Sequence, residues 1–510
     1  MLTKVQSFCL LDLDAVAITV EVDIARGLPS ITIVGLPDNA IKESKERVRA
    51  AIRNSGYQFP SQRITVNLSP ANIKKEGALF DLPIALGILA SSGKISSCAL
   101  NSYAFVGELS LDGKIQPVRG AFSMACAFVK ENPLGLLVPK ENAKEAALAQ
   151  KGQVFPCQTL TEVIQFLCDP LLIKPQTMSP KQVDHEKSCY DIDFSEIKGQ
   201  ARVKRGLEVA AAGGHNILMV GPPGSGKTML SKRLITILPD LTQEEALETL
   251  KIHSAAGLTD PDLTTFGLRP FRAPHHTASD ISLVGGGTIP KPGEVSLAHN
   301  GILFLDELPE FNRNVLEALR QPLEDHYVHV ARAYKSIKFP AKFMLVCAMN
   351  PCPCGWYTDP KKECHCSPQK IQKYLSKISG PLLDRIDIHL EVPSLKASEI
   401  LSSTLAESSA SIKKRTSQAR EVQLKRFHKT KVFSNAQMGH RQIKQWCASC
   451  GETNTLLKMA IDELGLSARA HDKILKVART IADLEGEETI LPEHIAEAIQ
   501  YRNLDRNLYF

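Results

Sequence analysis

The chain lacks any run of the roughly 18 apolar residues that a bilayer-spanning helix needs, so no membrane partner is expected among its 510 residues. Its first residues, MLTKVQSFCLLDLDAV, offer only a short apolar run broken by Asp12 and Asp14. That is not the pattern of a secretory signal, and a cytoplasmic location is the expectation. Internal repeats, low-complexity tracts and coiled-coil heptads are also missing, which excludes the architectures built from them. A strong charge of one sign is absent as well: the net charge is +6, too mild by itself to argue for nucleic acid. Thirteen cysteines in a reducing compartment read as free thiols or metal ligands rather than a disulfide framework.

What is present describes an ordinary globular protein, 43% hydrophobic and 23% charged, too long for one core and expected to form two to four domains. Residues 1–168 alternate β-branched strands (Val16–Val22, Ser30–Val34, Arg63–Leu68) with helices (Ala40–Asn54, Leu82–Ser91), an α/β or α+β pattern. Residues 169–190 turn polar and carry Pro170, Pro175 and Pro180, as a linker would. Residues 191–394 hold strands at Asn216–Val220, Gly301–Leu305 and Phe343–Ala348, expected to form a doubly wound parallel sheet with its ligand at the carboxyl ends of the strands. Residues 395–510 read as helical. Within them, Lys413–Lys431 carries eight Lys or Arg against the single acid Glu421, which fits either a solvated helix face or a phosphate-contacting surface.

Function starts at Gly221–Thr228, GPPGSGKT, which follows the apolar strand NILMV. A loop that wraps a triphosphate must bring its amide hydrogens so close that a Cβ does not fit, hence Gly221, Gly224 and Gly226 among Pro222, Pro223 and Ser225. The helix that follows presents its positive end, Lys227 can reach the β and γ phosphates, and the Thr228 hydroxyl is placed to hold magnesium. A second signature is GILFLDEL, in which an apolar strand ends in Asp306 and Glu307. The first acid can hold magnesium through water, and the second can activate a hydrolytic water. A third strand ends in Asn350, a neutral side chain able to sense the γ phosphate and orient the attacking water. ATP and magnesium are the expected cofactors.

The order of loop, acids and Asn resembles that of AAA+ ATPases. FSEIKGQ (Phe194–Gln200) is similar to the segment that packs on adenine in that superfamily, which makes Ile197 and Gly199 candidate nucleotide contacts. In PLLDRID, Arg385 resembles the finger that a neighbouring subunit receives, where it would neutralise charge on the γ phosphate. Arg469, opening the helix SARAHDKILKVARTIADL, matches the lid arginine. A finger supplied in trans implies a ring. About 77 residues separate Thr228 from Asp306 and include RPFRAPHHTAS and a glycine-rich stretch, an inserted hairpin or loop. With a second hairpin at Val328–Phe339, this insertion resembles the AAA+ clade that includes MCM helicases and magnesium chelatase. In such rings both elements point into the pore, so Arg332 and Lys335 become candidate DNA phosphate contacts, a solvated hairpin being the alternative.

Directly after Asn350 come PCPCG and CHC. Cys352, Cys354, Cys364 and Cys366 supply four thiolates, enough for a closed tetrahedral zinc site, with His365 a substitute ligand and unligated thiols the alternative. Cys447 and Cys450 form a lone C-x-x-C without a second pair. In the first domain, NLSPANIKKEGALFDLPIALGIL and GELSLDGKIQPVRGAF resemble the Lon protease domain, with Leu79 at the nucleophile position and Phe122 at the catalytic lysine position. Neither side chain can attack or accept a proton, so the resemblance implies the fold without proteolysis.

Taken together, these segments resemble the ComM/YifB family over nearly the whole chain. The resemblance implies an ATP-driven ring, a hexamer, that moves along single-stranded or branched DNA and promotes branch migration in recombination of transforming DNA. Two other functions share the core motifs: the motor subunit of a magnesium chelatase, and a remodeller of a protein partner. The Lon-like domain is expected to exclude the chelatase reading.

Overall fold

The computed structural model describes residues 2–128, 134–150, 152–178, 190–287, 290–331, 336–357, 359, 362–395, 406–428, 430, 432–448, 451–464, 467–502 and 504. The chain divides into two compact units, residues 1–188 with 243–267, and residues 189–242 with 268–510. No helix among the described residues is long and apolar enough to cross a membrane.

The first unit is built on a mixed seven-stranded sheet in the order Ser30–Val34, Arg63–Ser69, Asp14–Ala25, Leu2–Leu11, Tyr103–Phe105, Gly135–Pro139, Gln153–Cys157. The period-two pattern of RITVNLS sends Ile64, Val66 and Leu68 inward, all with no exposed surface. Helix Asn39–Asn54 buries Ile41, Val48, Ala51 and Ile52 along one stripe, and the carboxylate of Asp38 caps it by accepting from Ile41 N at 2.8 Å. Helix Asp81–Ser91 is apolar nearly all round and lies in the core. Leu79 and Phe122 are both buried. The expected linker is in part ordered onto this unit, since Gln176 N donates to Val154 O at 2.7 Å and Ile173 is buried.

One helix departs from the sequence expectation. Gln243–Ala256 lies in the middle of the segment assigned to the nucleotide domain, yet it packs in the first unit. It buries Ala246, Leu250, Ile252 and Ala255. Its end is pinned by Gly120 N donating to Ser254 O at 2.9 Å, and Lys251 pairs with Asp14. The insertion therefore leaves the nucleotide unit and returns, which a reading of local glycine content could not reveal.

The second unit holds a parallel sheet of five strands in the order Phe271–Arg272, Ile302–Leu305, Met344–Met349, Ile217–Val220, Ile388–Glu391. The strands ILMV, ILFL and MLVCAM are buried throughout, as continuous apolar runs must be when both sheet faces are covered. Phe271–Arg272, read in sequence as part of an insertion, is the edge strand beside Ile302–Leu303. The hairpin after it is confirmed as Tyr327–Ala331 paired with Ser336–Pro340. The C-terminal helices share this unit's core: Ile412, Ile474, Ala478 and Ile481 cluster with Val209 and Ile217. The expected boundary at residue 395 abuts residues 396–405, which lie outside the described residues.

Candidate nucleotide site and cysteine centre

Strand Ile217–Val220 runs into the glycine loop, and helix Lys227–Leu234 runs out of it. The loop needs its glycines for stated reasons: Gly224 and Gly226 have φ of +76° and +91°, and a Cβ on Gly221 would stand 2.2 Å from Val392 O. Lys227 is buried, and its Nζ donates to Gly221 O at 2.7 Å, Pro222 O at 2.9 Å and Asn350 Oδ1 at 3.2 Å. Burial lowers its pKa, while Asp306 and Glu307 oppose the shift. The Thr228 hydroxyl donates to Asp306 Oδ2 at 2.7 Å. A hydroxyl and a carboxylate so close can share one magnesium ion, directly or through water.

Parallel pairing of the three strands explains the convergence. Met349 lies opposite Val220, so Asn350 and Gly221 start together beyond the sheet edge, and Leu305 on the far side of the Met344–Met349 strand brings Asp306 to the same end. Glu307 takes a left-handed backbone, φ +53°, and its N–H donates to Asp306 Oδ1 at 3.0 Å. Its carboxylate lies 3.7 Å from His276 Nδ1. Ile197 is fully buried and Gly199 has φ +59°. Between them and the loop stands Gln200, whose Nε2 donates to Ser225 O at 2.9 Å and Pro393 O at 3.1 Å. Gln200 and His276 have no signal of their own in the sequence, although they lie in FSEIKGQ and RPFRAPHHTAS.

Arg385 is engaged within its own chain. It pairs with Glu324 and donates to Pro381 O, with its side chain only 11% exposed. Two residues on, Asp387 is held by Lys473 Nζ at 3.1 Å and by Asn216 N at 3.0 Å. Burial opposes ionisation of Asp387, but Lys473 and His215 hold its carboxyl well below the usual carboxylate range. Lys473 lies on helix Ala468–Glu485, whose first turn carries the exposed Arg469. Arg332 and Lys335 lie outside the described residues.

Part of the basic stretch is committed to contacts within its own unit. Lys413 pairs with Asp240 at 2.5 Å, Arg415 with Glu208 at 2.5 Å and with Glu407, and Arg426 with Asp483 at 2.5 Å, while Arg420 donates to Ala212 O at 3.2 Å. Half of its eight cations thus tie helix Ser409–Arg426 to its own unit and do not form an open phosphate-binding face.

Cys352, Cys354, Cys364 and Cys366 bring four sulfurs within 4.8 Å of one another. Sγ of Cys352 stands 3.3 Å from that of Cys354 and 3.7 Å from that of Cys364, and Cys354 to Cys364 is 3.5 Å. Zn–S bonds of about 2.3 Å at tetrahedral angles place sulfurs about 3.8 Å apart, so the donor set fits zinc. Gly355 N and Tyr357 N donate to Cys352 Sγ from 3.2 and 3.4 Å. Cys450 lies outside the described residues, and Cys447 is a buried thiol raised to about 12 by burial.

Comparison with known proteins agrees with this architecture. The family described as "Magnesium chelatase, subunit ChlI" matches residues 193–400, "Subunit ChlI of Mg-chelatase" matches residues 20–142, and "Magnesium chelatase, subunit ChlI C-terminal" matches residues 406–502. The chain is 45% identical over 509 residues to the uncharacterized protein YifB of Escherichia coli, covering 99% of this chain and 98% of that one. It is 44% identical over 510 residues to the competence protein ComM of Haemophilus influenzae, again covering 99% and 98%. Identity to YifB of Salmonella typhimurium is 45% over 500 residues, 98% of this chain and 96% of that one.

Proposed function

Because the chain belongs to the ComM/YifB family of magnesium-chelatase-type AAA+ proteins, we propose that it is an ATP-hydrolysing motor that works as a hexameric ring on DNA, promoting branch migration as transforming DNA recombines. The observation that carries the ATPase half is the convergence of Lys227 with Asn350 and of Thr228 with Asp306 at one end of one parallel sheet. In this reading Lys227 binds the β and γ phosphates, Thr228 and Asp306 hold magnesium, Glu307 activates the attacking water and Asn350 orients it. Ile197 and Gly199 line the base. Arg385 exchanges Glu324 for the γ phosphate of the neighbouring subunit, and Arg469 closes the helical part on the nucleotide of its own chain. The four cysteines hold one structural zinc.

The DNA half rests on the relationship to ComM, named a competence protein, along nearly the full length of both chains. The hairpin Tyr327–Ala331 and Ser336–Pro340 frames the segment with Arg332 and Lys335, the proposed phosphate contacts. The chelatase reading is favoured by one observation: a chelatase description matches even residues 20–142. ATPase rates with single-stranded, forked and four-way DNA, set against porphyrin with magnesium and against protein ligands, decide between the readings.

A further inference from the structure

The four-cysteine loop does more than stand next to the nucleotide site in sequence. Cys352 follows Asn350 by two residues, and the turn it starts brings Gly355 back against the phosphate loop. Gly355 is buried with φ +84°, and a Cβ added there would lie 2.5 Å from Pro223 Cδ and 3.8 Å from Asn350 Cγ. The same turn is closed by Gly355 N and Tyr357 N on Cys352 Sγ. Past the second cysteine pair comes helix Pro368–Leu375, whose Tyr374 is buried.

Asn350 is thus held from two sides: by Lys227 Nζ on its side chain and by the Gly355 turn beside its Cγ. The second of these supports belongs to the segment that the cysteines staple. We infer that the cysteine centre is a positioning element of the ATPase site, in which zinc bound by Cys352, Cys354, Cys364 and Cys366 fixes the Gly355 turn against Pro223 and so sets the place of Asn350. Binding of the metal releases the thiol protons to solvent and changes no oxidation state. The inference rests on the zinc reading proposed above. It adds that metal occupancy controls turnover, with Gly355 as the positioning residue that transmits it.

The test uses the full-length protein and three readouts: zinc per chain by atomic emission, kcat and KM for ATP, and the thermal unfolding curve. The expected result is about one zinc per wild-type chain. Cys364→Ser with Cys366→Ser removes the zinc and lowers kcat. Gly355→Ala leaves all four sulfurs, retains the zinc and lowers kcat about tenfold or more, with KM within about threefold, because a misplaced catalytic group costs rate before it costs binding. A rigid structural staple with no positioning role would leave kcat of Gly355→Ala unchanged. That result overturns the inference, as does a zinc-free wild-type chain with normal turnover. If the double cysteine variant does not fold, Gly355→Ala decides alone. A Lys227→Ala chain that hydrolyses ATP as well as wild type would instead strike the ATPase reading, with the zinc content untouched.

Discussion

Lys473 Nζ lies 3.1 Å from the carboxylate of Asp387, deep in the second unit, and this pair joins the turn that carries Arg385 to the helix that opens with Arg469. Lys473 Nζ also donates to Ile386 O at 3.0 Å, so the contact fixes the backbone of the turn as well as its charge. An arginine proposed to serve a neighbour and an arginine proposed to sense the chain's own nucleotide are thereby built on one rigid connection. Removing a single partner of a buried pair leaves an uncompensated charge, a loss of about 3–5 kcal/mol. Lys473→Met is expected to destabilise by that order. Adding Asp387→Asn should recover part of the loss, read as a positive coupling in a double-mutant cycle of unfolding free energies. Strictly additive losses would show that the pair is not the connection.

Within the loop, Lys227→Ala is expected to abolish nucleotide binding and turnover together. Glu307→Gln should retain ATP binding and lose about 10²–10⁴ in kcat, the contribution of a positioned general base. Equilibrium binding of a fluorescent ATP analogue beside steady-state hydrolysis separates the two. Loss of binding in Glu307→Gln would contradict the role given to that carboxylate.

Most of this site was legible in the sequence, because each element announces itself locally. GPPGSGKT, the acids after ILFL and the Asn after MLVCAM are each set by a short strand and the turn that follows it, and the parallel register then brings them together. What could not be read is what depends on distant packing. Phe271–Arg272 is only two residues long and has no period to detect. Helix Gln243–Ala256 has an apolar face that packs in the first unit, against residues far away in sequence, and nothing local names that partner. Lys413, Arg415 and Arg426 looked like a free basic face because their acids, Asp240, Glu208 and Asp483, are far away in sequence.

Arg385 provides a test of the shared site. Arg385→Ala alone is expected to bind ATP normally and to lose about 10³ or more in turnover. Mixed with Lys227→Ala chains, it should regain activity at those interfaces where an intact loop meets an intact arginine. Two inactive proteins that stay inactive when mixed and shown to co-assemble would contradict action in trans. Glu324→Gln, which frees the guanidinium from its partner in the same chain, should leave binding intact.

In the first unit, Asp81 is fully buried beside Arg47, whose Nε donates to it at 2.8 Å. Burial pushes its carboxyl up to about 6 despite that partner. Between about 3.9, the unfolded value, and about 6, the folded chain keeps a proton that the unfolded chain has lost. Its contribution to stability is thus present at low pH and falls away as pH rises through 6, by on the order of 3 kcal/mol at most. Asp81→Asn cannot titrate. The unfolding free energy of wild type relative to Asp81→Asn should therefore decline between pH 4 and pH 7, and parallel profiles would rule out this assignment.

In the proposed function, ATP turnover at Lys227 and Glu307 is coupled to DNA. The most direct measurement is steady-state ATPase of the full chain with single-stranded, duplex, forked and four-way DNA, at several salt concentrations. Porphyrin with magnesium and protein ligands complete the panel. The account predicts stimulation by single-stranded or branched DNA that weakens as salt rises, because phosphate contacts release counterions. A rate indifferent to every DNA, or raised instead by the porphyrin or a protein ligand, would contradict it.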